Sequence, residues 1–291
     1  MNTNLRGIAF LLVSGMLLSL NDAIFKYLAP HFPPGQILFT VATLVSLCLG
    51  VYLKFGARTG IIVNNRWWHL FRGLMFVAAS FAFIIALNHM PLAELVAIAF
   101  AGPLFMTLMA KVFLKEQVGL YRVAAVVVGF IGVLVIIQPG TTSFEWVLLL
   151  PLVVALGDAG RDILTRKMAP TEHTLSIVFT TFAVMATVSL FSAAWGWHPV
   201  SVEHMLYFAL ATALTIVSYF CMVEAYRFAP ASVVAPFRYI QIIWSILLGY
   251  LIWGEVPRDI VYLGIAITVG AGLFIAYRET LTLGKRSAGE G

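Results

Sequence analysis

Ten long apolar segments alternate with short polar breaks along the chain. Each holds about 20 mainly apolar residues, which is the length that an α-helix needs to cross the hydrocarbon core of a bilayer. Prolines and glycines mark most of the breaks, as expected where helices end. The pattern predicts an all-α integral membrane protein whose ten transmembrane helices lie near residues 5–28, 34–54, 69–89, 93–114, 119–138, 145–167, 174–195, 202–227, 232–253 and 258–278.

The composition excludes a soluble enzyme. Hydrophobic residues make up 61% of the 291 residues and charged residues 11%, against roughly 45–50% and about 25% in an ordinary soluble domain. Ten spans use about 200 residues, so no room remains for a second, extramembrane domain. The first apolar segment continues to about Leu28 without a cleavage site, which predicts a retained helix. Cys48 and Cys221 lie in apolar segments and predict neither a disulfide nor a redox site.

The distribution of basic residues predicts the orientation of the chain. The net charge is +5, and Lys and Arg of a membrane protein mark cytoplasmic loops rather than a nucleic-acid surface. With the N-terminus inside, nearly all basic residues fall at cytoplasmic ends. Lys26 and Arg258 fall outside, and Arg238 lies within the ninth helix. We therefore expect both termini in the cytoplasm.

An internal repeat relates the two halves of the chain. Residues 22–30 recur about 140 positions later as residues 162–170, each beginning with Asp and ending with Ala-Pro. Each half contains five helices, an odd number, so the second copy enters the membrane from the opposite side. We predict two inverted five-helix repeats, residues 1–140 and 141–280, and a cytoplasmic tail at residues 281–291. Inverted repeats are typical of secondary transporters, whose substrate sites lie between the halves. An offset of 139 relates Pro91 to Pro230 and Glu116 to Glu255.

The motifs of both halves resemble EamA domains of the drug/metabolite transporter superfamily. The first copy carries Met90-Pro91-Leu-Ala-Glu94 and Gly102-Pro103-Leu-Phe, and the second carries Ala229-Pro230-Ala-Ser-Val-Val-Ala-Pro236 and Trp253-Gly254-Glu255. The resemblance covers nearly the whole chain. It implies a ten-helix carrier of small metabolites in the bacterial cytoplasmic (inner) membrane that works by alternating access. Some members export amino acids, and others import riboflavin or S-adenosylmethionine. Residues 40–42 lack the Arg that related sequences often carry there, so no role of that Arg is transferred.

Charged residues within the sixth and first helices are candidates for a gate, and those of the sixth helix also for substrate binding. Asp158, Arg161 and Asp162 are spaced i, i+3 and i+4, which places them on one helix face, where Arg161 can pair with either carboxylate. Asp22 and Lys26 form an i, i+4 pair near the outer end of helix one. Their repeat equivalents, Asp162 and Arg166, lie near the inner end of helix six. This relation favours mirrored gates, against the alternative of structural or energetically trivial ion pairs.

The ninth helix carries the candidate substrate-binding residues Arg238, Tyr239, Gln241 and Trp244. Arg238 and Gln241 share a face with Ser245, and a nearby proline at position 236 weakens the helix. A broken helix at a repeat interface is typical of a transporter binding site. The alternative is that Arg238 extends to the cytoplasmic surface. A corresponding break at Gly102-Pro103 adds Pro103 and predicts a cavity between helices four and nine.

The remaining polar residues suggest coupling or structural roles. Glu94 and Glu224 are candidates for proton coupling, with helix capping as the alternative for Glu94. Glu116 and Glu255 precede helices, where a carboxylate stabilises the positive end of the dipole. The small residues Ala125, Gly129, Ala266 and Gly270 predict close helix packing, or a face for a homodimer. The six histidines are scattered, so we expect no metal site and no cofactor.

The pattern as a whole favours a secondary transporter over an enzyme. The chain has no Gly-x-Ser-x-Gly or His-Glu-x-x-His motif and no phosphate-binding loop, which leaves an intramembrane enzyme as a weak alternative. The expected partners are a small organic substrate and the lipid bilayer, and no nucleic acid. Aromatic residues beside Arg and carboxylates favour export of amino acids or related compounds. Uptake of a vitamin or a nucleoside-type cofactor is the alternative.

The predicted orientation is testable by labelling single cysteines in intact cells. A membrane-impermeant thiol reagent should modify a cysteine placed in the loop at residues 139–143, because this loop joins helices five and six on the outside. A cysteine in the tail at residues 281–291 is the control and should react only after the membrane is broken. The reverse pattern would contradict the orientation.

Overall fold

The computed structural model describes residues 3–55, 63–113, 119–140, 145–168, 171–228 and 235–289, and every regular element among them is a helix. The α-helices, in chain order, are α1 Thr3–Leu28, α2 Pro34–Phe55, α3 Arg66–Leu87, α4 Leu92–Ala99, α5 Gly102–Phe113, α6 Leu120–Ile137, α7 Leu150–Met168, α8 Thr174–Leu190, α9 Val202–Phe228, α10 Ile240–Trp253 and α11 Asp259–Gly289. Short 3-10 helices cover Trp146–Leu149, Phe191–Trp195 and Ala235–Tyr239. The last helix continues through most of the predicted tail.

The lengths and compositions of these helices are those of a membrane protein. Six segments of the described chain are long and apolar enough to span a bilayer, and three shorter apolar helices accompany them. The segment α7 is interrupted by charged residues, including Asp158, Arg161 and Asp162, which lower its hydropathy. Large apolar side chains such as Leu47 and Val51 point away from the protein, as expected where lipid rather than water surrounds the helices.

Two of the predicted spans are broken, at the positions that the sequence indicates. The fourth span consists of α4 and α5, which are separated by Phe100 and Ala101. Pro103 lies in the first turn of α5, where its missing N–H leaves no helical hydrogen bond unmade. The ninth span begins as the 3-10 helix Ala235–Tyr239 before α10 starts. The two breaks meet, since the rings of Phe100 and Tyr239 lie 5.2 Å apart.

The two halves of the chain pack mainly against each other. Helix α1 lies against α9 and α10, α3 against α7 and α8, α2 against α8 and α9, α7 against α4 and α5, and α6 against α11. A continuous apolar core joins them and includes Leu28, Ile37, Leu92 and Phe208, which are almost completely buried. Because helices from both halves share this core, neither half buries its apolar surface alone.

Hydrogen bonds tie the halves together at both ends of the helices. We call the end where α1 terminates the Lys26 face, and the opposite end the Glu172 face. On the Lys26 face, Gln36 donates to the carbonyl oxygen of His198 at 2.7 Å and accepts from the His198 N–H at 2.9 Å. On the Glu172 face, the Glu172 carboxylate accepts from the N–H groups of Asn64 and Asn65. In each case one side chain makes hydrogen bonds with backbone groups of a loop from the other half.

Small residues let α6 and α11 approach closely. A Cβ atom on Gly264 would lie 2.7 Å from the carbonyl oxygen of Gly132, and the Thr268 hydroxyl donates to the carbonyl oxygen of Gly129 at 3.4 Å. Of the four small residues singled out by sequence, Ala125 and Gly129 lie in the packed interior. The other two, Ala266 and Gly270, are exposed, and a homodimer face there stays a prediction.

Replacing Gly264 by Ala should destabilise the protein by about 1–3 kcal/mol, because the added methyl group meets backbone atoms of α6. The matched control is Gly270→Ala on the same helix, where a Cβ atom has nothing within 4 Å. The control should be neutral or slightly stabilising, since Ala favours the helix. Thermal unfolding in detergent measures both variants. Equal melting temperatures would contradict close packing of α6 against α11.

Candidate functional site

An ion cluster lies near the middle of α7. The Arg161 guanidinium bonds to Asp158 Oδ1 at 2.9 Å through Nη1 and to Asp162 Oδ1 at 3.0 Å through Nη2. Its Nε donates to the same Asp162 oxygen at 3.1 Å. The aromatic ring of Phe76 on α3 lies 5.4 Å from the guanidinium carbon. The i, i+3 and i, i+4 spacing predicts this cluster, and one Arg bridges both carboxylates.

The packing of α7 explains which way the cluster faces. Gly157 and Gly160 lie against α3, where a Cβ atom on Gly157 would be 2.9 Å from the Cβ of Ala79. This close packing brings α7 near α3, so that Arg161 lies over Phe76 while the two carboxylates stay partly accessible. The Asp158 and Asp162 side chains keep 36% and 30% of their surface accessible, whereas Arg161 keeps 12%. Ionisable side chains within membrane spans face a protein partner or water rather than lipid, and we infer that these accessible carboxylates line a water-filled space.

A second arginine, Arg72, lies beside the cluster. It is buried in α3, donates through Nε to the Thr165 hydroxyl at 2.7 Å and bonds through Nη1 to the Thr181 hydroxyl. It also lies within electrostatic reach of Arg161 and Asp162. The pattern of the sequence does not indicate Arg72 as a site residue. The position of Arg72 within an apolar segment is the signal that indicates an interior role.

Asp22 joins α1 to the same interior region. The side-chain amide of Gln241 on α10 donates to Asp22 Oδ2 at 3.1 Å, and the Ser19 hydroxyl donates to the backbone carbonyl oxygen of Gln241 at 3.3 Å. Asp22 is buried and within electrostatic reach of Asp158. Its side chain therefore lies inside the protein, and its predicted position near the outer end of the helix stays a prediction.

Lys26 forms an ion pair with Glu255 from the other half of the chain. Among the described contacts of Lys26, this pair takes the place of the expected pair with Asp22. The ammonium also donates to the Met90 carbonyl oxygen at 3.2 Å and lies 5.2 Å from the ring of Trp253. The other oxygen of Glu255 accepts from the N–H of Leu92 at 3.1 Å. Glu255 thus stabilises the N-terminus of α4, and its expected effect on the helix that follows it in sequence stays a prediction.

Glu94 pairs with Arg258, again across the two halves. The guanidinium holds both carboxylate oxygens, at 3.3 Å through Nε and 3.2 Å through Nη2. It also donates to the side-chain oxygen of Gln138 and to the carbonyl oxygen of Ile136 at the end of α6. Sequence reasoning places Arg258 outside the membrane but assigns it no partner. The Lys26 face therefore carries two ion pairs that both hold the first turn of α4.

Of the predicted residues of the ninth span, Arg238 lies near the α7 cluster. Arg238, in the 3-10 helix, is half-buried and within electrostatic reach of Asp158 and Asp162. Tyr239 is half-buried at the break and Trp244 is half-buried on α10. Other predicted residues are Pro103, half-buried in α5, and Glu224, half-buried in α9. The side chain of Arg166 and all of Glu116 lie outside the described residues.

The described residues contain no group of three or more His, Cys, Asp or Glu side chains that could hold a metal ion. Their chemistry is that of hydrogen bonds, ion pairs and aromatic rings. A helical membrane protein with an accessible polar interior and two broken spans has the architecture of a transporter of small molecules.

The family comparison agrees with this class. The model of the EamA-like transporter family matches the chain twice, at residues 5–138 and 145–277. The chain therefore belongs to the EamA-like transporter family. A solved crystal structure superimposes with a TM-score of 0.63 over 94% of this chain and 95% of that chain, at 19% sequence identity. The fold is thus shared with a protein of known structure.

Relatives of the chain are named as transporters of different molecules. An S-adenosylmethionine uptake transporter of Rickettsia prowazekii is 29% identical over 98% of this chain and 97% of its own length. A riboflavin transporter of Vibrio cholerae is 27% identical over 95% and 94%. A pseudopaline exporter of Pseudomonas aeruginosa is 26% identical over 92% and 93%. The protein is a small-molecule transporter rather than an enzyme.

The water-filled interior can be tested with two neighbouring positions of α7. In a background with Cys48→Ser and Cys221→Ala, Asp158→Cys should react with a small charged thiol reagent about tenfold faster than Ala159→Cys. The reason is that the Asp158 side chain is 36% exposed, whereas Ala159 is 2% exposed. Mass spectrometry of purified protein in detergent measures the rates. Equal slow rates would contradict an accessible α7 cluster.

Proposed function

We propose that the protein is a secondary transporter that takes up a zwitterionic nucleoside-type cofactor, with S-adenosylmethionine as the first candidate. The observation that carries the proposal is the accessible ion cluster of Asp158, Arg161 and Asp162 in the membrane interior. Isolated charges are too costly there unless they are paired or serve a substrate.

We infer that the chain forms ten spans in two inverted five-helix repeats, residues 1–140 and 141–280. The double family match supports this arrangement. The helix contacts support it too, when α4 and α5 count as one span. If each span is replaced by its equivalent in the other half, five spans away, the contact between α1 and α9 becomes the contact between α7 and α3. In the same way, the contact between α1 and α10 becomes the contact of α7 with α4 and α5. The contacts of α2 with α8 and of α6 with α11 map onto themselves.

We further propose that the protein lies in the bacterial cytoplasmic membrane with both termini inside. The asymmetry of Lys and Arg supports this orientation. The Lys26 face is then external and the Glu172 face cytoplasmic.

The chemistry of the site matches the three parts of such a cofactor. The carboxylates of Asp158 and Asp162 suit an ammonium or sulfonium group, since in the part of the chain that the structure describes each holds Arg161 through Oδ1. Arg238 suits the substrate carboxylate, because a guanidinium can bind both oxygens. Trp244 and Tyr239 offer rings against which a purine can stack. Riboflavin carries no fixed cation, so it offers no positive group for the two carboxylates to bind.

Names of relatives support the same choice. Uptake transporters for S-adenosylmethionine from several Rickettsia species are 27–29% identical over nearly the full chain. Export of amino acids is the second candidate, because Arg238 and the α7 carboxylates also suit an amino acid. It would leave the aromatic rings without a role in recognition.

Alternating access assigns further roles to the remaining charged residues. Asp22 and Asp162 are equivalent residues of the two repeats and act in gates on opposite sides of the substrate. Lys26 belongs to the gate of Asp22, and Arg166 belongs to the gate of Asp162. Glu94 is held by Arg258, so we assign it to closure of the Lys26 face. Glu224, an acidic residue within α9, stays a candidate for proton coupling.

Uptake of radiolabelled S-adenosylmethionine into proteoliposomes tests the proposal. Asp158→Asn and Arg238→Lys should each raise the KM about tenfold or more, because each removes a charged or bidentate hydrogen bond to substrate. Trp244→Ala should affect S-adenosylmethionine more than methionine. The matched control is Asp259→Asn, an exposed carboxylate at the start of α11, which should leave uptake unchanged.

Two results would contradict the proposal. Unchanged affinity in Asp158→Asn and Arg238→Lys, at equal amounts of protein, would move the site away from α7 and the ninth span. Transport of amino acids without transport of S-adenosylmethionine would establish the second candidate.

A further inference from the structure

The Lys26–Glu255 pair joins three elements that meet on the Lys26 face. Lys26 comes from the end of α1, Glu255 from the loop between α10 and α11, and both reach the hairpin before α4 through the Met90 carbonyl oxygen and the Leu92 N–H. We call this arrangement the Lys26 latch. It holds the short helix α4 by its N-terminus, and α4 is separated from α5 by a break. A change in the latch therefore acts on a half-helix that has its own hinge.

The two members of the latch differ in accessibility. The Lys26 side chain is 8% exposed and the Glu255 side chain is 23% exposed. A cavity of about 360 Å³ opens beside them and is lined by both residues, Trp253, Asn88 and His89. A molecule entering the cavity meets a carboxylate and an indole ring before it meets the lysine. A carboxylate next to an aromatic face is a recognition site for a cation.

Lys26 has a second carboxylate within reach of its own helix. Asp22 lies one turn earlier on the same face of α1, at the i, i+4 spacing that favours an ion pair. In the described arrangement Asp22 accepts a hydrogen bond from Gln241 on α10. If Glu255 is occupied by another cation, Lys26 must find a partner because its buried ammonium is costly when unpaired. The pair with Asp22 satisfies it and competes with the Gln241 bond.

We propose that Glu255 and Trp253 form an external recognition site for the cationic group of the transported molecule, and that its binding moves Lys26 from Glu255 to Asp22. The exchange withdraws Lys26 from Glu255 and from the Met90 carbonyl oxygen, which leaves the N-terminus of α4 held by Glu255 and by the Glu94–Arg258 pair. It also loosens the bond between Asp22 and Gln241. The outer cavity is thereby linked to the interior site. The inference rests on the proposed function in that the natural ligand is the substrate.

Accessibility of position 245 reports on the latch. Ser245 is fully buried on α10, one turn beyond Gln241 toward the Lys26 face. In a background with Cys48→Ser and Cys221→Ala, Ser245→Cys is labelled in proteoliposomes by a membrane-impermeant thiol reagent. Labelling should be slow, and about tenfold faster with saturating S-adenosylmethionine or with tetramethylammonium as a simple cation.

Variants separate the latch from the interior site. Glu255→Gln and Lys26→Met should give fast labelling without any cation, and the cations should add nothing further. Asp22→Asn should stay slow with or without cations, because Lys26 then has no second partner. The matched control is Glu203→Gln, which removes another carboxylate of the Lys26 face, bonded to Tyr27 next to Lys26. It should behave like the parent protein.

The outcomes distinguish this inference from the proposed function. Slow labelling in both Glu255→Gln and Lys26→Met, in a protein that takes up S-adenosylmethionine, overturns the latch and leaves the function standing. Acceleration by cations that persists in Glu255→Gln overturns the recognition site. Fast labelling in both variants and acceleration by tetramethylammonium, in a protein without S-adenosylmethionine uptake, supports the latch and rejects the proposed substrate.

Discussion

Hydrocarbon cannot solvate a charge, and this constraint governs where the charged side chains of the described structure lie. Arg161 is compensated by two carboxylates of its own helix. Lys26 and Arg258 are instead compensated by Glu255 and Glu94 from opposite halves of the chain. The first arrangement forms a site within one helix. The second arrangement joins the halves on one face, so any opening there has to replace those ion pairs.

The same constraint decides where the helices can break. Unpaired backbone groups are tolerated at membrane depth only inside protein or beside water. The break between α4 and α5 and the 3-10 helix before α10 both lie in the interior, where Phe100 contacts Tyr239. The breaks bring Arg238 toward the α7 cluster. Where α4 begins, its first N–H groups have no partner within the helix, and Glu255 accepts a hydrogen bond from that of Leu92.

One face of α1 connects the two polar regions. Ser19, Asp22 and Lys26 follow each other at helical spacing and contact α10 and the loop after it. A helix keeps these side chains in fixed order. When one of them binds a new partner, the partners that remain available to the next one change. In the proposed mechanism this continuity, rather than a large deformation, links the outer cavity to the interior site.

Sequence alone determined the features that depend on neighbouring residues: the lengths of the apolar segments, the breaks at Gly102-Pro103 and before α10, and the Asp158, Arg161 and Asp162 cluster. These follow because hydropathy and the 3.6-residue period act over one or two turns. Only the tertiary structure decided which charges pair across the halves and that Arg72 and Asp22 lie inside. Lys26 has Asp22 four residues away and Glu255 more than two hundred residues away. The pattern of one helix favours the near partner, whereas the docking of the two halves places the distant carboxylate beside the ammonium.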